Sequence, residues 1–245
     1  MVRQHTPPKR AARNRPASAN GQRKRNLPAD ERRRVLLDAA MELFAERGLG
    51  ITMQALADRV HVTQPLVHRY FPAKSDLIAA IRDRIQNAHW DPIWKDVLTD
   101  RARPITERIP DFYSRYLPHI YRDTWYRGFW FAALNDPTFG ETYLNRFTRE
   151  LLISIVDEVR VHFHYPSVEI VRPFAREIEL AWGLHSTMIF AGIRRYVYHA
   201  PVSGDVDTTV LDQMHAYLLV APKVLAELMP ASADRKLQAR MRSAG

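Results

Sequence analysis

The sequence of 245 residues predicts an all-α protein with two domains, a small N-terminal helix-turn-helix domain and a larger helical domain after it. Three observations favour this fold class. Apolar residues recur at helical spacing over several long stretches, and capping residues and prolines separate these stretches. No stretch of useful length alternates polar and apolar residues as a half-buried strand would. We assign residues 27–74 to the first domain, called the head, and residues 75–230 to the second, called the body.

Composition limits the classes of protein to which the chain can belong. The net charge is +9, and hydrophobic residues make up 46% of the chain, which is ordinary for a globular protein with a substantial core. Cysteine is absent, which excludes disulfide bonds, thiolate metal sites and a cysteine nucleophile. No apolar run reaches the length of a membrane span, and the start of the chain carries no apolar stretch typical of a signal peptide. We therefore expect a cytoplasmic protein that does not contact a membrane.

The first two predicted helices are defined by an apolar stripe and a cap. The first covers Ala29–Arg47, where apolar residues recur on one face and Gly48 stops the helix. The second begins after Thr52, whose hydroxyl can accept a hydrogen bond from the free N–H groups of the first turn, and ends near Val60. Because this second helix is barely two turns long, it needs a packing partner to be stable.

The third helix follows a tight turn at residues 61–62. Thr63 offers its cap, and Pro65 lies in its first turn, where the missing N–H is tolerated. The helix reaches about Tyr70, because Phe71 precedes a proline and is displaced from helical geometry. Two short helices joined by a tight turn and packed on a longer one make a helix-turn-helix.

The head resembles the DNA-binding domain of the TetR family of bacterial transcriptional regulators. The resemblance covers about Pro28–Ile81 and includes the stretch LLDAAMELFAERGLGITMQALADRVHVTQPLVHRYFPAKSDLI. It is specific, because the helix stripe, the glycine stop, the two caps and the ending aromatic-Phe-Pro-x-Lys occur in one order. It implies a head that binds double-stranded operator DNA and a body that forms a helical chamber for a small ligand.

Three positions depart from the family pattern. His61 stands where the family usually has Gly, His68 where it has Tyr, and Ala73 where it has Ser. His61 must tolerate the turn without the conformational freedom of glycine, and a neutral His68 can still donate a hydrogen bond to a phosphate oxygen. Ala73 removes a possible cap from the next helix. Lys74 stands where the family keeps a phosphate-binding lysine, near a helix N-terminus that attracts anions.

The resemblance and the side-chain chemistry together predict a DNA-contacting surface on the head. Gln64 can hydrogen-bond to a base edge, and Pro65 can contact a thymine methyl group. The remaining residues are expected to hold phosphates and so fix the position of the head on the duplex. The expected DNA-binding residues are Thr52, Thr63, Gln64, Pro65, His68, Arg69, Tyr70 and Lys74.

Charge is concentrated in residues 1–26, which contain eight Lys or Arg residues and no acidic residue. This segment has too few large apolar side chains to offset the entropy of ordering. We expect it to be a disordered basic arm that lies along DNA phosphates or in a minor groove. The alternative is a solubilising extension with no further role. Residues 231–245 are polar and basic and are expected to form a flexible tail.

The body is predicted to consist of long helices with strong apolar faces. A fourth helix from Ala73 joins the head to the body and ends near residues 91–92. Further helices are expected from Pro137, from about Val168 to His199 and from about Val206 to Met229. The last two are more apolar than one subunit requires, so we expect a homodimer in which they form a four-helix bundle.

An aromatic, proline-rich stretch from residue 94 to 131 is the candidate ligand-binding region. One interpretation is an ordinary core, since aromatic residues at helical spacing usually pack inside a domain. The other is a chamber, because Trp and Tyr place polar atoms inside an apolar cavity and the family resemblance implies such a chamber. We expect a small apolar or aromatic effector that contacts Phe112, Tyr116, Trp125, Phe129, Trp130, Phe147 and Trp182.

No motif indicates catalysis or metal binding. The chain lacks Gly-x-Ser-x-Gly, a phosphate-binding glycine loop and His-Glu-x-x-His. His162 and His164 are two residues apart and would point to different faces of a helix. We therefore expect no catalytic residue, no metal ligand and no cofactor.

The sequence thus predicts a ligand-responsive transcriptional regulator, with repression as the expected direction, that binds a palindromic operator as a homodimer. Two alternatives remain open. The first is a sequence-tolerant DNA-binding protein whose body only dimerises. The second is an enzyme whose chamber is catalytic.

Overall fold

The computed structural model describes residues 27–87, 91–202 and 204–230, and every regular element in these ranges is helical. The all-α prediction is confirmed. The predicted basic arm at residues 1–26 and the predicted tail at residues 231–245 lie outside the described residues.

Eleven α-helices follow one another in the described ranges, with a 3-10 turn at Gly48–Gly50 and π-helical segments at Thr148–Leu152 and Ile193–Val197. The first π segment joins α8 to α9, and the second extends α10. The helices are α1 Ala29–Arg47, α2 Met53–Val60, α3 Gln64–Tyr70, α4 Lys74–Asn87, α5 Ile93–Thr99, α6 Ile105–Ile120, α7 Asp123–Asn135, α8 Pro137–Phe147, α9 Ile153–His162, α10 Ala175–Gly192 and α11 Val206–Leu228.

Local capping chemistry defines the three helices of the head. The hydroxyl of Thr52 accepts a hydrogen bond from the N–H of Ala55 at 3.1 Å, as the sequence predicts. The predicted cap at Thr63 is wrong, because its hydroxyl makes no capping hydrogen bond. Pro65 has no N–H to donate, and the next free N–H, from Leu66, bonds to the backbone carbonyl of Thr63 at 3.0 Å instead.

The turn between α2 and α3 has the backbone conformation that the family fills with glycine. His61 has φ 57° and ψ 48°, the left-handed region, and its N–H bonds to carbonyl groups in the last turn of α2. Few L-residues adopt this conformation without strain. Ala73, the other departure at a helix start, is compensated by Asp76, whose carboxylate accepts the N–H of Ala73 at 2.9 Å.

Helix α7 joins the head to the body by direct packing. The ring of Phe131 lies on Gly48, where an added Cβ would be 3.0 Å from the ring. Trp125 donates its indole N–H to the carbonyl of Ile85 in α4 at 3.2 Å. The predicted connection ran through α4 alone, and the structure adds α7 as a second element in contact with α1 and α4.

The predicted helix over about 168–199 begins at Ala175 instead. The guanidinium of Arg160, which is fully buried, donates to three backbone carbonyl groups of the preceding loop and holds the loop out of the helix. Arg160 also pairs with the buried carboxylate of Glu177 at 2.6 Å. Glu177 accepts the N–H of Phe174 at 2.8 Å and so caps the start of α10. The helix start is therefore fixed by a contact with α9.

Candidate DNA-binding surface and ligand cavity

All eight residues predicted to contact DNA lie on the surface of the head, between the start of α2 and the start of α4. The half-buried members are Gln64 and Tyr70, and the exposed members are Thr52, Thr63, Pro65, His68, Arg69 and Lys74. Arg59 is a basic residue of α2 that is already engaged within the head, so it is less available to contact DNA. Its guanidinium pairs with Glu42 at 3.3 Å and Glu46 at 2.7 Å and so fixes α2 on α1.

The side chain of Gln64 is held by a histidine one turn later in α3. Nδ1 of His68 lies 3.0 Å from the carbonyl oxygen of Pro72, and Nε2 lies 3.4 Å from Nε2 of Gln64. Because a carbonyl can only accept, Nδ1 carries the proton and Nε2 accepts from the Gln64 amide. This arrangement leaves the amide oxygen of Gln64 free to accept a hydrogen bond from a base amino group.

Lys74 is anchored at the start of α4. Its ammonium group donates to the carbonyl of Leu49 at 2.6 Å, which ties α4 to the turn after α1. An ammonium group has three donors, so two remain for a phosphate.

The sequence interpretation did not select Arg33, whose guanidinium lies 5.1 Å from the centre of the Phe71 ring, beyond the end of α3. The run of three arginines at residues 32–34, near the start of α1, is the sequence feature that could have indicated a basic surface here.

A cavity of about 350 Å³ lies in the body between α6, α7, α8 and α10. Five of the seven residues predicted to bind a ligand line it: Tyr116, Trp125, Phe129, Trp130 and Trp182. The other two, Phe112 and Phe147, are fully buried behind the wall, where each packs against the ring of Tyr116. Helical spacing does not distinguish the two groups, because residues of both kinds lie on the apolar faces of their own helices.

Ten further residues line the cavity that were not among the predicted ligand-binding residues, although the sequence favours a hydrogen-bonded core or pocket role for His185: Tyr126, Ala133, Gly140, Tyr143, Leu144, His185, Ser186, Ile189, Phe190 and Ile193. A signal for two of them was present. His185 lies three residues after Trp182 in α10, and Tyr143 lies four residues before Phe147, so each shares a helix face with a predicted residue.

Two pairs of polar side chains lie at the cavity, and three of the four residues line it: Tyr116, Tyr143 and His185. The hydroxyl groups of Tyr116 and Tyr143 are 3.3 Å apart, and Nδ1 of His185 lies 3.4 Å from the hydroxyl of Tyr113. Burial lowers the pKa of His185 to about 3 and raises the pKa of Tyr143 to about 12. The imidazole and the phenol are therefore both neutral at physiological pH.

Helix α7 is also fastened to α10 beside the cavity. The hydroxyl of Tyr126 donates to the backbone carbonyl of Ile189. Just before α7, the hydroxyl of Tyr121 at the end of α6 donates to the carbonyl of Met188 at 2.6 Å. Tyr126 reaches α10 because Gly192 has no side chain in its path. One helix therefore contacts the head, the cavity and α10.

The described ranges contain neither a metal-binding cluster nor a membrane-spanning helix. No cluster of three or more His, Cys, Asp or Glu side chains is placed to hold a metal ion in residues 27–87, 91–202 and 204–230. Within the same ranges, no helix combines the length and the apolar character needed to cross a bilayer.

The head matches a known family, and one curated relative matches part of the chain. Residues 36–81 match the family described as bacterial regulatory proteins, tetR family. A protein of Mycolicibacterium smegmatis named HTH-type transcriptional activator FasR is 42% identical over 71 residues, which cover 29% of this chain and 32% of that protein. The match therefore spans about a third of the relative's length.

Solved structures resemble the chain over both domains. A tetR-family transcriptional regulator from Streptomyces coelicolor gives a TM-score of 0.55 at 20% identity and covers 86% of this chain and 90% of its own. A TetR-like transcriptional regulator from Rhodococcus sp. RHA1 gives a TM-score of 0.59 at 16% identity and covers 81% of this chain and 99% of its own. At these identities the likeness concerns the fold. Residues 36–81 therefore carry the DNA-binding domain of the TetR family, and the chain as a whole has the fold of the solved TetR-family regulators.

Proposed function

We propose that the protein is a ligand-responsive transcriptional regulator that binds a palindromic operator as a homodimer and releases it when the cavity is filled. The observation that carries this proposal is the position of α7, which lines the cavity with Trp125 and Phe129 and packs on the head through Phe131. Regulators of the TetR family are transcription factors rather than enzymes. A DNA-binding role would place the protein in the cytoplasm.

A ligand can act on DNA binding only through a difference in affinity between two states of the protein. To weaken operator binding about 100-fold, it must bind the released state more favourably by about 2.7 kcal/mol, and operator DNA must weaken ligand binding equally. We propose that the two states differ in the tilt of α7, because its cavity face and its head face belong to one rigid element. A small shift of α7 would then change the separation of the two α3 helices in a dimer.

Binding to a specific operator is tested with the full chain and a random pool of duplexes. Sites selected from the pool should have two-fold symmetry, with half-sites about one turn, ~34–36 Å, apart or slightly more. At fixed salt, the selected site should be preferred to unrelated duplex by about 10³ or more. A preference below about tenfold would instead support the alternative of a sequence-tolerant DNA binder whose body only dimerises.

Coupling between the cavity and the head is tested without knowing the ligand. Ala133 lies in the cavity wall on α7, and Ala133→Phe places a ring where a ligand would lie. We expect operator affinity to fall by at least about tenfold while the melting temperature stays near that of the wild type. The matched control is Leu134→Phe, since Leu134 is the next residue of α7 and is 77% exposed outside the cavity.

The result of this substitution also decides the direction of control. Repression relieved by ligand requires lower operator affinity in Ala133→Phe. Higher affinity would indicate a regulator that its ligand engages, as an activator can be, and the FasR relative is named an activator. Equal affinity in Ala133→Phe, Leu134→Phe and the wild type would contradict the coupling.

A homodimer through α10 and α11 is proposed from the exposed face of α11. Leu211, Leu219 and Val220 are large apolar side chains of α11 that are exposed, and Leu219 is 70% exposed. We propose that the partner subunit covers these side chains. The two helices from each subunit would form the four-helix bundle expected from the sequence.

A further inference from the structure

The cavity has a closed end and an open end, and the exposure of its lining residues distinguishes them. Tyr116, Trp125 and His185 are almost fully buried. Leu144 and Phe190 also line the cavity but are 44% and 53% exposed. The first group therefore forms the closed end, and the second lies at the mouth.

The buried hydrogen-bonding groups of the cavity lie at its closed end, and Ser186 is the exposed polar residue of the lining. Nδ1 of His185 faces Tyr113, which does not line the cavity, so the other edge of the imidazole is the one that a ligand can reach. Its Nε2 makes no hydrogen bond to any of the described residues. The hydroxyl pair of Tyr116 and Tyr143 can accept or donate one more hydrogen bond, because each phenol is both a donor and an acceptor.

Among the described residues that line the cavity there is no Asp, Glu, Lys or Arg. His185 is also neutral, since burial keeps its pKa far below the pH of a cell. A ligand with a charged group in the closed end would leave water without meeting an opposite charge, which is strongly unfavourable. A neutral hydroxyl or carbonyl group would find partners there.

We propose that the cavity binds an uncharged aromatic compound that enters with its polar end first. A hydroxyl or carbonyl group of the ligand meets Nε2 of His185 and the hydroxyl of Tyr143, and the ring system lies between these groups and the mouth. The wall offers a ring surface for stacking, because Trp125 and Phe129 are themselves stacked with centroids 5.2 Å apart. This inference rests on the proposed function, since it takes the cavity to be the effector site.

The opposite orientation would suit a different class of ligand. An amphiphilic anion would place its apolar part in the closed end and its charge in solvent at the mouth. Nε2 of His185 and the phenol pair would then be covered by hydrocarbon without a partner, which costs more than leaving them open to water. The polar closed end therefore favours the neutral, polar-end-first ligand.

Three probes of similar size separate these cases: naphthalene, 2-naphthol and 2-naphthoate. Their binding to the full-length protein is measured by equilibrium dialysis at pH 7.5 in the absence of DNA. We expect 2-naphthol to bind about 5- to 10-fold more tightly than naphthalene, the gain of one hydrogen bond. We expect 2-naphthoate to bind at least about tenfold more weakly than 2-naphthol, because its charge has no partner in the closed end and the cation nearest the mouth, Arg194, lies over the ring of Phe190 outside it.

Variants at one position then assign the preference to His185. His185→Phe should bind naphthalene within about threefold of the wild type and lose the preference for 2-naphthol. His185→Gln, which keeps a neutral hydrogen-bonding group, should retain part of that preference and checks the assignment if the Phe variant folds poorly. The matched control is Ser186→Ala, because Ser186 is the neighbouring lining residue but is exposed. Its preference should be unchanged.

Several results would overturn the inference. They are equal or tighter binding of 2-naphthoate, a preserved 2-naphthol preference in His185→Phe, and no measurable binding of any probe by the wild type. Failure of the proposed function is distinguishable, because it is read from operator affinity. If 2-naphthol binds as expected but Ala133→Phe leaves operator affinity unchanged, the ligand class stands and the coupling to DNA does not.

Discussion

Tyr126 lies so close to Gly192 that a Cβ atom on the glycine would be 2.3 Å from Cζ of the tyrosine ring. The same ring donates its hydroxyl proton to the carbonyl of Ile189, one turn earlier in α10. The contact between α7 and α10 therefore depends on the absence of a side chain at one position.

We expect Gly192→Ala to lower the free energy of unfolding by about 1–3 kcal/mol, because the buried ring must move and its hydrogen bond is disturbed. Urea denaturation measures the change. Gly183→Ala in the same helix is the control, since nothing lies within 4 Å of an added Cβ there. That variant should be up to about 1 kcal/mol more stable than the wild type through helix propensity. Equal effects of the two substitutions would refute the contact.

His61→Gly should stabilise the head. The left-handed backbone at φ 57° costs a histidine roughly 1 kcal/mol or more, and glycine adopts it freely. Glycine has more conformational entropy in the unfolded chain, which offsets part of this gain. We therefore expect the free energy of unfolding to rise by a net amount of about 0.5–1 kcal/mol. Thr63→Gly is the control, because Thr63 has φ −84° and should lose stability on the same change. A loss in His61→Gly would contradict the strain.

Gln64 and His68 should affect the same base pair of the operator. Gln64→Ala is expected to reduce discrimination at that base pair by about 1–3 kcal/mol. His68→Ala should reduce it partly at the same position, because the glutamine amide loses its hydrogen-bonding partner. Lys74→Ala is the control and should weaken all sequences alike. Affinities for operators with single base changes measure these effects, and a uniform loss in Gln64→Ala would remove it from readout.

Leu219→Glu should convert the dimer to monomers, because it places a charge on the exposed face of α11. Analytical ultracentrifugation of the wild type and the variant at micromolar concentration measures the change. Leu134→Glu is the control, since this equally exposed leucine lies on α7 and should leave the dimer intact. A charge at Leu225 would test folding rather than assembly, because Leu225 is buried within one subunit. A monomeric wild type would refute the dimer.

The burial of His185 predicts a pH-dependent stability. Its pKa is about 3 in the folded protein against 6.5 in the unfolded chain, so between these values the unfolded chain binds a proton that the folded protein does not. Stability is therefore lost as the pH falls below 6.5. Between pH 7 and pH 5 the wild type should lose about 2 kcal/mol more than His185→Phe, in which this group is absent. Parallel losses in urea denaturation would contradict the burial.

The helices of the head follow closely from the sequence, because local features fix them. The bounds Ala29–Arg47 and the cap at Thr52 depend on residues within four positions of the helix ends. The start of α10 could not be predicted in this way, because it depends on Arg160, which lies on another helix. Contacts between distant parts of the chain leave no local signal of this kind.

The wall of the ligand cavity was only partly predictable, because it too depends on contacts between distant parts of the chain. Phe112 and Phe129 are both aromatic residues on apolar helix faces, yet one is core and the other lines the cavity. The difference arises from which neighbouring helix leaves a gap, and the spacing within one helix does not contain that information. The family resemblance implied that a chamber exists but did not define its wall.

The packing of Phe131 on Gly48 also determines how the protein unfolds. The face of α1 that packs on α7 is apolar, so separation of the head from the body would expose this face to water. Neither part can then melt alone without exposing hydrocarbon to water, and one cooperative transition is expected. A truncated chain ending at residue 87 would carry the three helices of the head together with an uncovered apolar surface. Such a fragment would tend to self-associate, although its DNA-contacting residues would all be present.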